Sequence, residues 1–259
     1  TPVSAIAPIS VDRRTAPDTS VPSIGPRRID AVTLPVRPAR TSRPSTICTR
    51  SINALRGKRI AVGAIGSGTR NDAGRLVITA GPWAGQLVPA LARAAVPERQ
   101  VLIWAQPRRP EFFRLGAFPV FILEGVGRDL YYGMPVYGMP GFKLGKYHHR
   151  KQNVDPDRMD RECHPEDEAV LRSALRRYFP EANGPTMAMK TCMFTNSPDE
   201  HFVLDLHPEF PQVSVAAGFS GHGFKFASVV GEIMADFAMM GGSKLLDGVS
   251  LFEMGRRRE

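Results

Sequence analysis

The stretch from Val213 to Gly242 constrains the fold more than any other. Val213-Ser214-Val215-Ala216-Ala217 is a short apolar run that reads as a buried strand. It enters Gly218-Phe219-Ser220-Gly221-His222-Gly223, after which the pattern predicts a helix over Phe224–Met240, stopped by Gly241-Gly242. A strand that passes through a glycine turn into a helix belongs to a layered α/β arrangement. Glycines let the backbone take positive φ and approach a flat ligand closely. A helix starting at the turn would aim its free N–H groups and positive dipole end at whatever lies above it. That suits an anionic or electron-rich edge, with Lys225 adding a point charge. An ordinary strand-to-helix connection with a solvated Lys225 fits the composition equally well.

Leu76–Ala80 reads as a buried strand, and several short β-like runs follow it, at Gln100–Ala105, Phe118–Glu124, Asp129–Gly133 and Gly141–Tyr147, divided by Pro- and Gly-rich separators. Close spacing with turn signals predicts antiparallel sheet. Further strands are expected at Lys190–Thr195 and His201–Asp205. Trp83 to Ala95 reads as a helical segment. A stronger helix is expected from Pro165 to Tyr178: proline suits the first turn, Glu166, Asp167 and Glu168 suit the positive dipole end, and Arg172, Arg176 and Arg177 the other.

The first 73 residues differ from the rest. No Phe, Tyr or Trp occurs before Trp83, and the first glutamate is Glu98. A stretch with so few large side chains to bury hardly offsets its ordering entropy, so it is expected to be largely irregular. Residues 1–73 hold 12 Lys or Arg against 4 Asp, a net +8 of the chain's +9. The remainder is nearly neutral, which argues against nucleic-acid binding. The apolar fragment Arg59–Val62 runs into Gly63-Ala64-Ile65-Gly66-Ser67-Gly68, whose glycines lack dinucleotide-loop spacing and read as a flexible loop. No stretch has the length of a membrane span. Cys48, Cys163 and Cys192 form no CxxC pair, so a reducing compartment, the cytoplasm, is expected.

Three residue sets carry possible chemistry. Cys192, in Lys190–Thr195, is by itself a buried inert thiol unless an electropositive setting favours thiolate. In Gly141–His149 a regular strand puts Lys143, Gly145 and Tyr147 on one face; a lysine there marks a polar cavity or guards a solvated strand edge. His148-His149, Cys163-His164, His201 and His207 lack the paired spacing of zinc sites, so no metal is expected. No G-x-S-x-G elbow is present.

Taken in order and spacing, "RLVITAGPW", "GFKLGKYHH", "DPDRMDRECHPEDEAVLRSALRRYFPEANG", "KTCMFTNSPDEHFVLDLHP" and "VSVAAGFSGHGFKFASVVGEIMADFA" resemble the monomeric sarcosine oxidase and N-methyl-L-tryptophan oxidase family. The resemblance spans about residues 74–259. It implies an FAD enzyme that oxidises an N-methyl amino acid to an imine while O2 becomes hydrogen peroxide. It implies α/β with antiparallel β: a partial FAD-binding, Rossmann-like domain over 74–97 and 184–259, and an antiparallel substrate-binding domain over 98–183. Cys192 matches the family's covalent flavin anchor. Lys143 matches the lysine that promotes reaction with oxygen, and Lys225 one near the flavin and the substrate carboxylate. Trp83, Gly218, Gly221, His222 and Gly223 fall among flavin-contacting positions. Tyr147, His148 and Phe194 fall beside the substrate.

The pattern departs from the family in three places. Phe194 stands where the sarcosine oxidases carry tyrosine. The family's active-site histidine has two counterparts, Tyr147 by offset from Lys143 and His148 one residue later. The G-x-G-x-x-G loop and the substrate-binding arginine of the family's opening segment have no match in residues 1–73, so a truncated or frame-shifted product is expected, with a non-catalytic remnant as the alternative to an oxidase. The complete protein is expected to be a monomer.

Overall fold

A computed structural model describes residues 60–63, 70–138 and 140–255. The basic opening segment and the loop at 64–69 lie outside the described residues.

Ile60–Gly63 (β1) and Arg70–Ala73 (β2) form an antiparallel hairpin. Leu76–Ile78 (β3) follows and leads into a string of short helical turns. The helix expected over 83–95 is broken here. Ala84–Leu87 (α1) is a single turn, because pre-proline Val88 is extended (φ −123°, ψ 94°) and Pro89 starts a separate 3-10 turn. Next come Val96–Ala105 (β4), Pro110–Phe113 (α2), Phe121–Glu124 (β5), Leu130–Met134 (β6), Phe142–Lys146 (β7) and Gln152–Asn153 (β8). Pro165–Tyr178 (α3) has the expected limits, with a reciprocal cap between His164 and Asp167. Thr186–Asn196 (β9), Val203–Leu206 (β10), Val213–Ala217 (β11) and Ala227–Met240 (α4) complete the order. Gly241, at φ 80°, ends α4 in the left-handed conformation that glycine takes readily.

Two sheets position the site. In the smaller, β11 lies between β10, antiparallel, and β3, parallel. Alternation gives it two apolar faces. Ile78, Val203, Val213, Val215 and Ala217 pack against Val88, Leu91 and Ala94 of the helical turns. Leu204 and Ala216 pack against Ile233, Met234 and Phe237 of α4. The larger sheet is antiparallel throughout, ordered β5-β6-β7-β4, with β8 paired to Glu98 and Arg99 near the start of β4 and β9 along its other side. Its Val101, Ile103, Phe142 and Leu144 pack on Leu171, Ala174 and Leu175 of α3. Asp167 of α3, fully buried, receives both forks of Arg99 at 2.9 and 2.8 Å and lies 3.2 Å from His149 Nε2.

Candidate functional site

The same alternation that turns Val101 and Ile103 toward α3 turns their neighbours to the opposite face of the larger sheet. Register then assembles that face. Gln100 pairs with Cys192, Glu98 with Phe194, Trp104 with Lys143, and Leu102 with Gly145, which is itself paired with Tyr132. Lys143, Cys192, Phe194 and Tyr132 are thus drawn from three strands onto one surface.

Lys143 lies on β7, between β6 and β4, so it guards no edge. Its Nζ sits 5.3 Å from the centroid of the Trp104 ring. Cys192 is half-buried. Burial pushes its thiol pKa up, and the Lys143 ammonium pulls it part of the way back. Lys190, the nearer lysine in sequence, acts instead on Cys163. An aromatic cluster adjoins the thiol: Tyr132 lies 4.9 Å from Tyr147 and 6.4 Å from Phe194, and Tyr147 5.6 Å from Phe194, between ring centroids. Gly145 leaves room for the Tyr132 ring, which a Cβ would strike. Burial, then Cys192 and Tyr147, push the Tyr132 hydroxyl pKa up, so it remains a neutral donor.

The glycine turn rests on the end of β9. Ser220 N donates to Thr195 O at 2.9 Å, and Ser197 N donates to Ser220 Oγ at 3.1 Å. Gly218 and Gly221 take φ of 65° and 78°. Gly221 passes so close to the Phe194 ring that any side chain would collide with it. The turn therefore contacts β9 two residues from Cys192. Trp83 is half-buried on a turn packed beside β9, with Nε1 donating to Asp157 at 2.9 Å. His222 Nε2 lies 3.0 Å from Glu200 O.

Two expected features differ. The α-helix begins at Ala227, because Phe226 N bonds to Gly223 O and winds the first turn as 3-10 helix. Lys225 lies in that turn, exposed, with Nζ 5.3 Å from the Phe226 ring centroid, and is not drawn into the Lys143–Cys192 surface. Tyr147 and His148 also part company. Tyr147 joins the aromatic cluster, whereas His148, at φ 52°, is held between Glu98 Oε2 and Glu200 Oε1, each at 2.9 Å. Gln100 Nε2 and Asn196 Nδ2 donate to Glu98 at 2.7 and 2.9 Å. Among the described residues no group of acids, histidines and cysteines forms a metal site, and no helix is long and apolar enough to cross a membrane.

Sequence reasoning missed Tyr132, Glu98, Gln100 and Glu200. Tyr132 was open to discovery by pairing the two strands that flank Pro135–Gly141. Glu98 was hidden because the strand begins at Val96, not at Gln100.

A fixed cation beside a soft thiol, on an aromatic face closed by a glycine turn, is a setting for a flat electron-accepting ring. The chain belongs to the FAD dependent oxidoreductase (DAO) family, whose model matches residues 45–237. It is 43% identical over 197 residues to monomeric sarcosine oxidase of Bacillus sp. (strain NS-129), covering 74% of this chain and 49% of the relative. It is 36% identical over 189 residues to N-methyl-L-tryptophan oxidase of Yersinia pestis (strain Pestoides F), covering 72% and 49%. The chain thus spans about half the length of the curated relatives it matches. Among solved structures it is similar to fructosyl amine:oxygen oxidoreductase (Amadoriase I) of Aspergillus fumigatus, with a TM-score of 0.59 at 21% identity, over 77% of this chain and 47% of that one. This last likeness concerns the fold alone.

Proposed function

We propose that the complete protein is an FAD-dependent oxidase that converts a secondary amine, sarcosine or another N-methyl amino acid, to the imine, with O2 reduced to hydrogen peroxide. One observation carries the reading: Lys143 and Cys192 occupy one face, and the glycine turn sits two residues from the thiol. The residues present suit the ring end of the cofactor. Nothing of G-x-G-x-x-G spacing occurs in the chain to cradle a diphosphate.

When bound, FAD supplies the two-electron acceptor for the amine and passes the electrons to O2. Cys192 would hold the ring end through sulfur: its S–H and a C–H of the ring's methyl group would be replaced by an S–C bond, with the two electrons passing to the flavin and from it to O2. Lys143, fixed in mid-sheet over Trp104, stabilises negative charge that develops on oxygen. Gly218, Gly221, His222 and Gly223 allow the backbone to lie close to the ring plane. Tyr147, Phe194 and His148 border the substrate, and Lys225, exposed at 224–226, is the cation that the family resemblance puts near its carboxylate. The protein works as a cytoplasmic monomer, where a thiol stays free until its cofactor docks.

A second reading is favoured by Phe224, 95% exposed beside the turn: a non-catalytic remnant that does not retain flavin. Colour separates the two. The purified protein, incubated with FAD, is expected to turn yellow, keep the colour through acid precipitation and consume O2 with sarcosine. Cys192→Ser is expected to release the flavin into the acid supernatant. A complete protein that stays colourless with FAD overturns the oxidase reading.

A further inference from the structure

We infer that His148, held as an imidazolium between Glu98 and Glu200, is a positioning residue that fastens the Gly218–Gly223 turn over the Cys192 face. That the fastened face takes a flavin rests on the oxidase reading; the fastening itself is a property of this chain. Nδ1 lies 2.9 Å from Glu98 Oε2 and Nε2 lies 2.9 Å from Glu200 Oε1. Ionised carboxylates only accept hydrogen bonds, and a ring that donates from both nitrogens is an imidazolium. A neutral ring would turn a lone pair against one of the two glutamates.

The contacts run onward to the turn. Glu98 is buried on β4 and fixed by Gln100 and Asn196. Glu200 lies in the connection between β9 and β10, where its carbonyl meets His222 Nε2 at 3.0 Å. Ser197 in the same connection donates from Oγ to His201 O at 2.7 Å and from N to Ser220 Oγ at 3.1 Å. The charged or titratable groups around the ring are therefore Glu98 on β4, Glu200 in the connection and His222 beyond it. On its own segment, Tyr147 turns to Phe194 and His149 to Asp167. The left-handed backbone at His148 needs such outside support to persist.

Burial lowers the His148 pKa, but its two glutamate partners outweigh that and raise it above the ordinary value. The fastening is then complete below the unfolded-state pKa and is lost as pH rises through the folded one.

Hydrogen exchange of the 219–223 amides in the flavin-free protein, corrected for the intrinsic pH dependence, tests this. Protection of the wild-type turn is expected to fall by about tenfold between pH 5.5 and 9, the lower end for a charge-assisted hydrogen bond. Glu98→Gln should move that fall to lower pH. His148→Asn, which suits a left-handed backbone, should show no step. An identical step in His148→Asn, or a flat wild-type profile, overturns the proposal. Because no flavin is present, that failure leaves the colour test unaffected, and a colourless protein with an intact step would sink the oxidase reading alone.

Discussion

Phe194 and Gly221 show how closely single residues are matched at this site. The ring fills the space above the glycine, and the glycine's φ of 78° is one that other residues adopt at a cost of about 1–2 kcal/mol. Gly221→Ala is therefore expected to destabilise the chain by at least that much, read as a lower urea midpoint. Pairing it with Phe194→Ala should recover the steric part and leave the backbone part. The residues legible beforehand were those that a resemblance could carry over by position, Cys192, Lys143 and the glycines. Glu98, Gln100 and Tyr132 were not, because each owes its place to a partner strand far away in sequence. Phe194 was legible as a departure; its packing against the turn was not.

At the scale of elements, β4 and α3 are joined by a buried charge pair. Burial pushes the Asp167 pKa up, but the Arg99 fork, the His164 N–H and His149 pull it down further, well below the usual carboxylate range. A depressed folded pKa gives stability that is present above the unfolded value, near 3.9, and is lost as pH falls toward the folded one. Urea midpoints of the wild type are accordingly expected to drop between pH 6 and 3. Those of Asp167→Asn should start lower and change less. Arg99→Met, which strands the carboxylate in the interior, should cost about 3–5 kcal/mol. Local chemistry made α3 readable to the residue, since its proline, acids and arginines all sit where the helix dipole favours them. The segment from 83 to 95 carried the same apolar spacing, yet Pro89 removed a donor that a continuous helix needs. The hairpin at 60–63 and 70–73 escaped notice because a glycine-rich connection and polar Arg70-Asn71-Asp72 conceal its period.

Among the described residues many large apolar side chains are exposed. Phe224 in the 3-10 turn ahead of α4, and Met239 and Met240 at the end of α4, are 95, 67 and 65% exposed, while Leu115, Val120 and Ile122 are exposed on the other sheet's side. Patches of this kind favour association. The chain is expected to self-associate in sedimentation velocity at micromolar concentration, and Phe224→Ser with Met239→Ser to shift it toward monomer. Layering of the smaller sheet between helical turns and α4 followed from the Val213–Gly242 pattern. Which surfaces remain open did not, since that depends on how much of the family's length accompanies this half.

β4 carries Glu98 and Gln100 toward the thiol and Arg99 toward Asp167, so consecutive side chains of opposite charge serve opposite sides of one strand. A one-residue slip exchanges the two sets. Adding a single codon just ahead of Glu98 would therefore bury an arginine against the cysteine and leave the helix aspartate facing glutamate. A length change of the same size in the 148–151 turn would displace the His148 and His149 imidazoles and leave the register of β4 unchanged. Gene variants that differ in length should accordingly tolerate the turn and avoid the strand.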